Sequence, residues 1–328
     1  MDVTSPAWAL LNSEPQPRRR RASREAEHPA FAKRSRTGLL IVIAIAVGCL
    51  WPWPAFSQSA AKQAETWSYL TRQLIDDGIP AAKVRAAYRD RRVGRFDGVE
   101  YALVVGESKR SYRDFLGRQS LAAARRCRQR YARDFETFGR EHGVDPDVVA
   151  AILYIETRCG AYTGNRVALR QLSRLAMVNE PGNLAENIKR LKIKEAADYS
   201  PAEIERIARE RAAYLQATFY PEVLAIFRLG AKVGINPAGI RGSSAGAFGL
   251  PQFLPSSYLR FAQDGNENGR VSLYEAPDAI HSTMHFLREN GWKPGISVKE
   301  KRAVLWQYNR SDPYIDTILL VADKLSKN

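Results

Sequence analysis

The 328-residue chain sets 50 Lys and Arg against 35 Asp and Glu, a formal charge of +15 with a pI near 9.8. Its 45% hydrophobic content can fill a sizeable core in one large or two ordinary domains, which excludes a chain too polar to fold. The charge excludes an acidic surface and implies an anionic partner: nucleic acid, a membrane surface or an acidic polymer.

Residues 1–37 are polar and basic, with Arg18 to Arg21 consecutive. Gly38 to Leu50 is apolar and uncharged. It is shorter than the roughly 20 residues a membrane span needs and suits the core of a signal peptide. Ala55-Phe56-Ser57 puts small residues where a signal peptidase reads, so cleavage is predicted before Gln58, with release into the periplasm. Two alternatives stand: a lipid on Cys49, through the imperfect box Ala46-Val47-Gly48-Cys49, or an uncleaved membrane anchor. Removing 1–57 takes away eight basic and four acidic residues and leaves +11. An exported basic protein seldom meets nucleic acid, so an anionic envelope polymer is the favoured partner. Cys127 and Cys159 would remain; they could pair in an oxidising compartment or stand as separate buried thiols.

Ala60 to Asp76 is predicted as one amphipathic helix, with Trp67, Leu70, Leu74 and Ile75 at helical spacing and Trp51 to Pro54 breaking any helix before it. Ala81 to Arg89 is a second, short helix. Arg91 to Glu107 is ambiguous, and Val99 to Val105 reads as strand or loop. Leu121 to His142 is predicted as one long basic helix ending at Gly143, its arginines a solvated face. Asp145 is placed as an N-cap, Pro146 at the first helical position and Gly160 just past the end of the next helix. That helix is apolar on nearly all sides, hence buried, and its last turn carries Glu156. A carboxyl beside apolar surface resists ionisation and can serve as a general acid near neutral pH. The bland reading is a Glu that pairs with Arg158 or another arginine.

Val167 to Val178 is amphipathic and helical. Ser200-Pro201-Ala202-Glu203 opens a helix to about Thr218, and another runs from Tyr220 to Val233, closed by Gly234. Gly239, Gly242, Gly246 and Gly249 then signal tight turns and close backbone approach. Ser256-Ser257 opens a helix to Ala262.

Asp264 to Glu275, DGNENGRVSLYE, follows the EF-hand loop pattern. Asp264, Asn266 and Asn268 fill positions 1, 3 and 5, Gly269 the sharp bend, Arg270 the carbonyl at 7 and Glu275 the bidentate position 12; Asp278 could add a third charge. So few charges suit a weak, structural Ca2+ site, and a single loop suits a clip rather than a sensor. In the tail, Trp306 reads as a core aromatic. Tyr308-Asn309 runs into the helix start Ser311-Asp312-Pro313, which places the pair in a loop or turn.

Taken together, YIETRCGAYTGN (154–165), GSSAGAFGLPQFLPSSY (242–258), the loop at 264–275 and QYNRS (307–311) resemble the lytic murein transglycosylases of the membrane-bound B type, from about Ala64 onward. The resemblance implies a mainly α fold: a lysozyme-like catalytic core with an additional helical domain and a single EF-hand-like calcium loop. The organisation it implies is a targeting segment at 1–57, an N-terminal helical region at 58–125, and a lysozyme-like region at 126–328 that includes a helical insertion at about 176–233. It implies Glu156 as the catalytic acid/base, and Ser243, Gln252, Tyr308, Asn309 and Tyr314 on the substrate side. The calcium ligands it implies are Asp264, Asn266, Asn268, Arg270 by its carbonyl, Glu275 and Asp278. Cys159 and Leu250 depart from the residues usual in the family, which bears on subsites; the asparagines in the loop imply weaker calcium binding.

The implied reaction cleaves the β-1,4 bond between N-acetylmuramic acid and N-acetylglucosamine in peptidoglycan and leaves 1,6-anhydromuramoyl ends, with no cofactor for the chemistry. Ordinary glycosidases use two carboxylates, whereas this sequence offers one outstanding candidate. The expected partner is the glycan strand, with membrane association through the N-terminal segment, no nucleic acid and a monomeric state. The alternatives are a muramidase with a second, unrecognised Asp, and a non-catalytic peptidoglycan-binding protein.

Overall fold

The computed structural model of the protein describes residues 53–103 and 109–327. The segment expected to direct export therefore lies outside the described residues, except for 53–57, which open the first helix. The described chain is mostly helical, and its strands form one two-residue pair. No described helix is long and apolar enough to cross a membrane.

The region predicted as one helix over Ala60 to Asp76 is two, α1 (Trp53–Glu65) and α2 (Ser68–Asp76). The Thr66 hydroxyl bonds the Gln63 carbonyl and accepts from Phe96 N, drawing the backbone away from its helical partners. Trp67 is fully buried, and its indole N–H donates to Gly94 O. Trp53-Pro54 opens α1, since proline is tolerated in a first helical turn; the helix expected to be broken before it falls outside the described residues. Helix α3 occupies Ala81–Arg89 as expected. The ambiguous stretch after it is coil over 94–102. Its backbone is satisfied by side chains: Val99 N donates to Asn183 Oδ1, Tyr101 N to Asn187 Oδ1, and Asn187 Nδ2 to Val99 O. Two asparagines thus supply what a neighbouring strand would have offered.

After a 3-10 turn at Lys109–Leu116, the predicted basic helix is also divided, into α4 (Arg118–Arg130) and α5 (Ala132–His142), with the break at Tyr131. The halves serve different partners: α4 packs on α6 and α13, while α5 packs chiefly on α11. Helix α6 (Pro146–Thr157) lies at the centre, against α4, α5, α11 and α13. Asp145 caps it by accepting from Asp147 N. Every residue from Val148 to Thr157 is buried.

Strand β1 (Arg166–Val167) pairs antiparallel with β2 (Arg241–Gly242) in the register Arg166 to Gly242. Helices α7 (Ala168–Ala176) and α8 (Pro181–Lys194) both pack on α9 (Pro201–Val233). Ser200 and Glu203 form the expected capping box. The expected break near Thr218 is absent, and α9 runs through Pro221. A proline inside a helix costs about 3 kcal/mol or more. Burial of Leu215, Phe219, Val223 and Ile226 on either side of it exceeds that, at roughly 1.5–3 kcal/mol for each large side chain. Helices α10 (Pro255–Phe261) and α11 (Ala276–Glu289) bracket the 264–275 loop. Helices α12 (Val298–Tyr308) and α13 (Asp312–Ser326) end the chain, with Ser311 capping α13 as predicted.

Candidate active site

Glu156 sits in the last turn of α6 and is 4% exposed. Burial in an apolar core pushes its pKa well above the ordinary carboxylate value, and a hydrogen bond from Tyr314 only partly offsets this. The Tyr314 phenol donates to Glu156 Oε1 at 2.8 Å, while Oε2 is buried with no hydrogen-bond partner. A proton on the neutral acid therefore belongs on Oε2, because Oε1 is already accepting. No charged group contributes to the shift. Arg158, the partner in the bland reading, instead stacks over Phe115 at 4.1 Å and Tyr154 at 4.8 Å. Helix α6 ends not at Gly160 but at Arg158 and Cys159, both left-handed, with φ of 52° and 58°. Cys159 is disulfide-bonded to Cys127 of α4, so the turn that follows Glu156 is covalently fixed.

Tyr314 is fully buried on α13, and its ring stands edge-on to Tyr112 at 6.2 Å. Tyr308, the last residue of α12, lies close enough to Glu156 for the carboxylate to raise its pKa, along with burial. Its hydroxyl donates to Pro251 O, and its ring packs on Phe253 and Phe286. Asn309 caps α12 and is 2% exposed. Trp306 is not a core residue as predicted: it is 38% exposed. It lies near the end of an amphipathic helix whose buried face is Val304 and Leu305.

The glycine-rich segment joins this cluster through the backbone. The Thr157 hydroxyl donates to Leu250 O at 2.9 Å, next in sequence to Glu156. Gly164, at φ 87°, lies so close to Gly242 that an added Cβ would sit 2.2 Å from the Gly242 carbonyl oxygen. Gln252 takes the left-handed conformation at φ 50° and spends its amide N–H groups on Thr163 O (3.1 Å) and Gly249 O (2.9 Å). Ser243 is buried, with its hydroxyl unpartnered. Of the segments singled out in the sequence, 154–165 carries Glu156, 242–258 meets its neighbour Thr157 at Leu250, and 307–311 brings Tyr308 near the carboxyl that Tyr314 bonds. The sequence did not single out Thr157, Tyr112 or Phe115; only apolar spacing in a polar segment pointed to the two aromatics.

The other buried carboxylates among the described residues are Glu222 and Asp278. Glu222 accepts from Ser256 N and Oγ at the start of α10. Asp278 is fully buried; its Oδ1 accepts from Gly265 N and Asn266 N, and its Oδ2 from Ser272 N. Neither bonds Glu156.

In the 264–275 loop, Asp264 accepts from Asn268 N and Gly269 N, and Asn266 Nδ2 reaches Glu275 Oε2 at 2.8 Å. Positions 1, 5 and 6 and positions 3 and 12 are therefore drawn together around a set of hard oxygen donors, which fits a Ca2+ ion. Asp278 instead clips the loop backbone.

The sequence profile of the transglycosylase SLT domain family matches residues 62–302. Membrane-bound lytic murein transglycosylase B of Escherichia coli (strain K12) is 29% identical over 157 residues, 48% of this chain and 34% of that protein, so the match spans about a third of the curated relative. Among solved structures, soluble lytic transglycosylase SltB1 from Pseudomonas aeruginosa superposes with a TM-score of 0.58 at 20% identity, over 81% of this chain and 98% of that one. Escherichia coli Slt35 in complex with calcium gives 0.57 at 16%, over 80% and 93%. Pseudomonas aeruginosa SltB3 in complex with NAG-anhNAM-pentapeptide gives 0.56 at 17%, over 82% and 80%. The structural likenesses establish a shared mainly helical fold, and the profile spans most of the chain around a buried acid: this chain belongs to the transglycosylase SLT domain family.

Proposed function

We propose that the protein is a peptidoglycan lytic transglycosylase that cleaves the β-1,4 bond between N-acetylmuramic acid and N-acetylglucosamine, with Glu156 as its single acid and base. The observation that carries this reading is the pair of unequal oxygens on Glu156: Oε1 held by Tyr314, and Oε2 buried without a partner. Neutral Glu156 gives the Oε2 proton to the leaving glycosidic oxygen while the muramic N-acetyl carbonyl stabilises C1. The carboxylate then takes the proton of the sugar's C6 hydroxyl as that oxygen attacks C1. The hydrogen bond from Tyr314 stabilises the carboxylate formed between these steps. A nucleophile within the same ring has a high effective molarity and outcompetes water. The other two buried carboxylates are engaged elsewhere, which favours this route over a two-carboxylate hydrolysis.

Ser243, Asn309 and Tyr308 line the substrate side, and Gln252 positions the loops that carry them. The loop at 264–275 binds Ca2+ weakly as a structural clip, through Asp264, Asn266, Asn268, the Arg270 carbonyl and Glu275. The helical insertion at about 176–233, with α8 and α9, is the additional helical domain. The Cys127–Cys159 bond and the apolar stretch before Gln58 support export to the periplasm. Digestion of peptidoglycan in 18O-labelled water tests the chemistry: anhydro ends carry no label, whereas hydrolysis labels every new reducing end.

A further inference from the structure

Three of the chain's four histidines, His142, His281 and His285, meet between the last turn of α5 and α11. Glu141 Oε1 lies 3.4 Å from His281 Nε2 and 3.7 Å from His142 Nε2. One donor atom from each of these three residues lies within 4.8 Å of the other two. Ligands about 2.0–2.1 Å from one tetrahedral ion stand roughly 3.3–3.5 Å apart, so small side-chain adjustments would close them on an ion.

The cluster has the other marks of such a site. His142 Nε2 is buried with no hydrogen-bond partner. His281 Nδ1 is likewise unpartnered, and the ring is held in place by stacking on Phe138 at 4.2 Å. The Glu141 side chain is about half exposed, which leaves a path for an ion and room for a water ligand. His285 stands at the edge, its Nδ1 engaged with Gln263 and Phe261 O. Arg288 adds a cation whose field acts on His142, as do those of His281 and His285.

We propose that Glu141, His142 and His281 form a binding site for a divalent transition metal of the zinc type, separate from the oxygen-only loop at 264–275. Two imidazoles and a carboxylate suit zinc and its neighbours, whereas calcium prefers oxygen alone. The ion ties the end of α5 to α11. On α11, Phe286 packs on the Tyr308 ring, so the site braces the wall behind the active-site tyrosine.

The test titrates tag-free, full-length protein in detergent with ZnCl2, in the presence of excess CaCl2, by calorimetry and by thermal unfolding. The expected result is one saturable zinc site and a Tm raised by zinc. Glu141→Gln and His281→Gln should each weaken binding at least tenfold and abolish the Tm shift. Glu141→Gln changes a half-exposed side chain and leaves the His281–Phe138 stack intact, so it reads out binding without threatening the fold. Absence of saturable zinc binding, or wild-type affinity in the Glu141→Gln variant, overturns the three-ligand site.

Discussion

The Tyr314 hydroxyl donates to Glu156 Oε1 at 2.8 Å, joining residues 158 positions apart. The bond favours the carboxylate, whereas burial favours the acid, and burial wins. Replacing Tyr314 with Phe removes the opposing influence. The basic limb of the pH–rate profile should then move to higher pH. Activity at neutral pH should fall about tenfold, as expected for losing one hydrogen bond to a charged group. Initial rates on peptidoglycan across pH 4–9 check this; an unshifted limb would show that Tyr314 does not act on Glu156.

Glu156 also makes a prediction about stability. Its folded pKa is raised and its unfolded pKa is ordinary, so the folded state holds the extra proton. Below the ordinary glutamate value both states are protonated and nothing is lost. As pH rises from there toward the raised folded value, stability is lost progressively. Glu156→Gln carries no such penalty. The variant should gain stability over wild type, with a gap that opens above pH about 4.5 and widens with pH. Urea unfolding at several pH values measures it; a gap independent of pH would contradict a buried, neutral acid.

The Cys127–Cys159 bond closes a loop of 32 residues of separation around α5 and α6. Loop-closure entropy assigns such a link about 3–4 kcal/mol. The double substitution Cys127→Ala with Cys159→Ala should lower stability by that order, and a reducing agent should do the same to wild type and nothing to the double variant. Denaturant midpoints in each condition provide the check.

Calcium at ten times its Kd would stabilise the fold by about 1.4 kcal/mol, a rise in Tm of a few degrees. Chelation should reverse the rise, and Asp264→Asn should abolish it, because Asp264 anchors the loop backbone at two N–H groups. Calorimetric Tm values with and without chelator decide the matter.

What could be read from the sequence was what depends on neighbours in the chain. Asp145, Ser200 and Ser311 cap the helices they were expected to cap, because capping is settled within three residues. The interruptions at Thr66 and Tyr131 and the continuity through Pro221 were not legible. They depend on Phe96, on the separate partners of α4 and α5, and on the bed of side chains beneath α9, all distant in sequence. Glu156 stood out because a carboxylate ends an otherwise apolar helix. The arrangement of Gln252 and Asp278 did not, because a polar side chain that holds backbone and one that holds a ligand look alike in a sequence. Gln252 ties the chain at Thr163 to Gly249, and Asp278 clips the loop that it was expected to help ligate.

The central claim is that one carboxylate serves as acid and base and that water takes no part. Incubating wild-type protein and Glu156→Gln with peptidoglycan, then identifying the released muropeptide ends by mass spectrometry, tests it most directly. The account predicts 1,6-anhydromuramoyl ends from wild type and a rate at least about a hundredfold lower from the variant. Reducing ends from wild type, or anhydro ends released at an undiminished rate by Glu156→Gln, would contradict it.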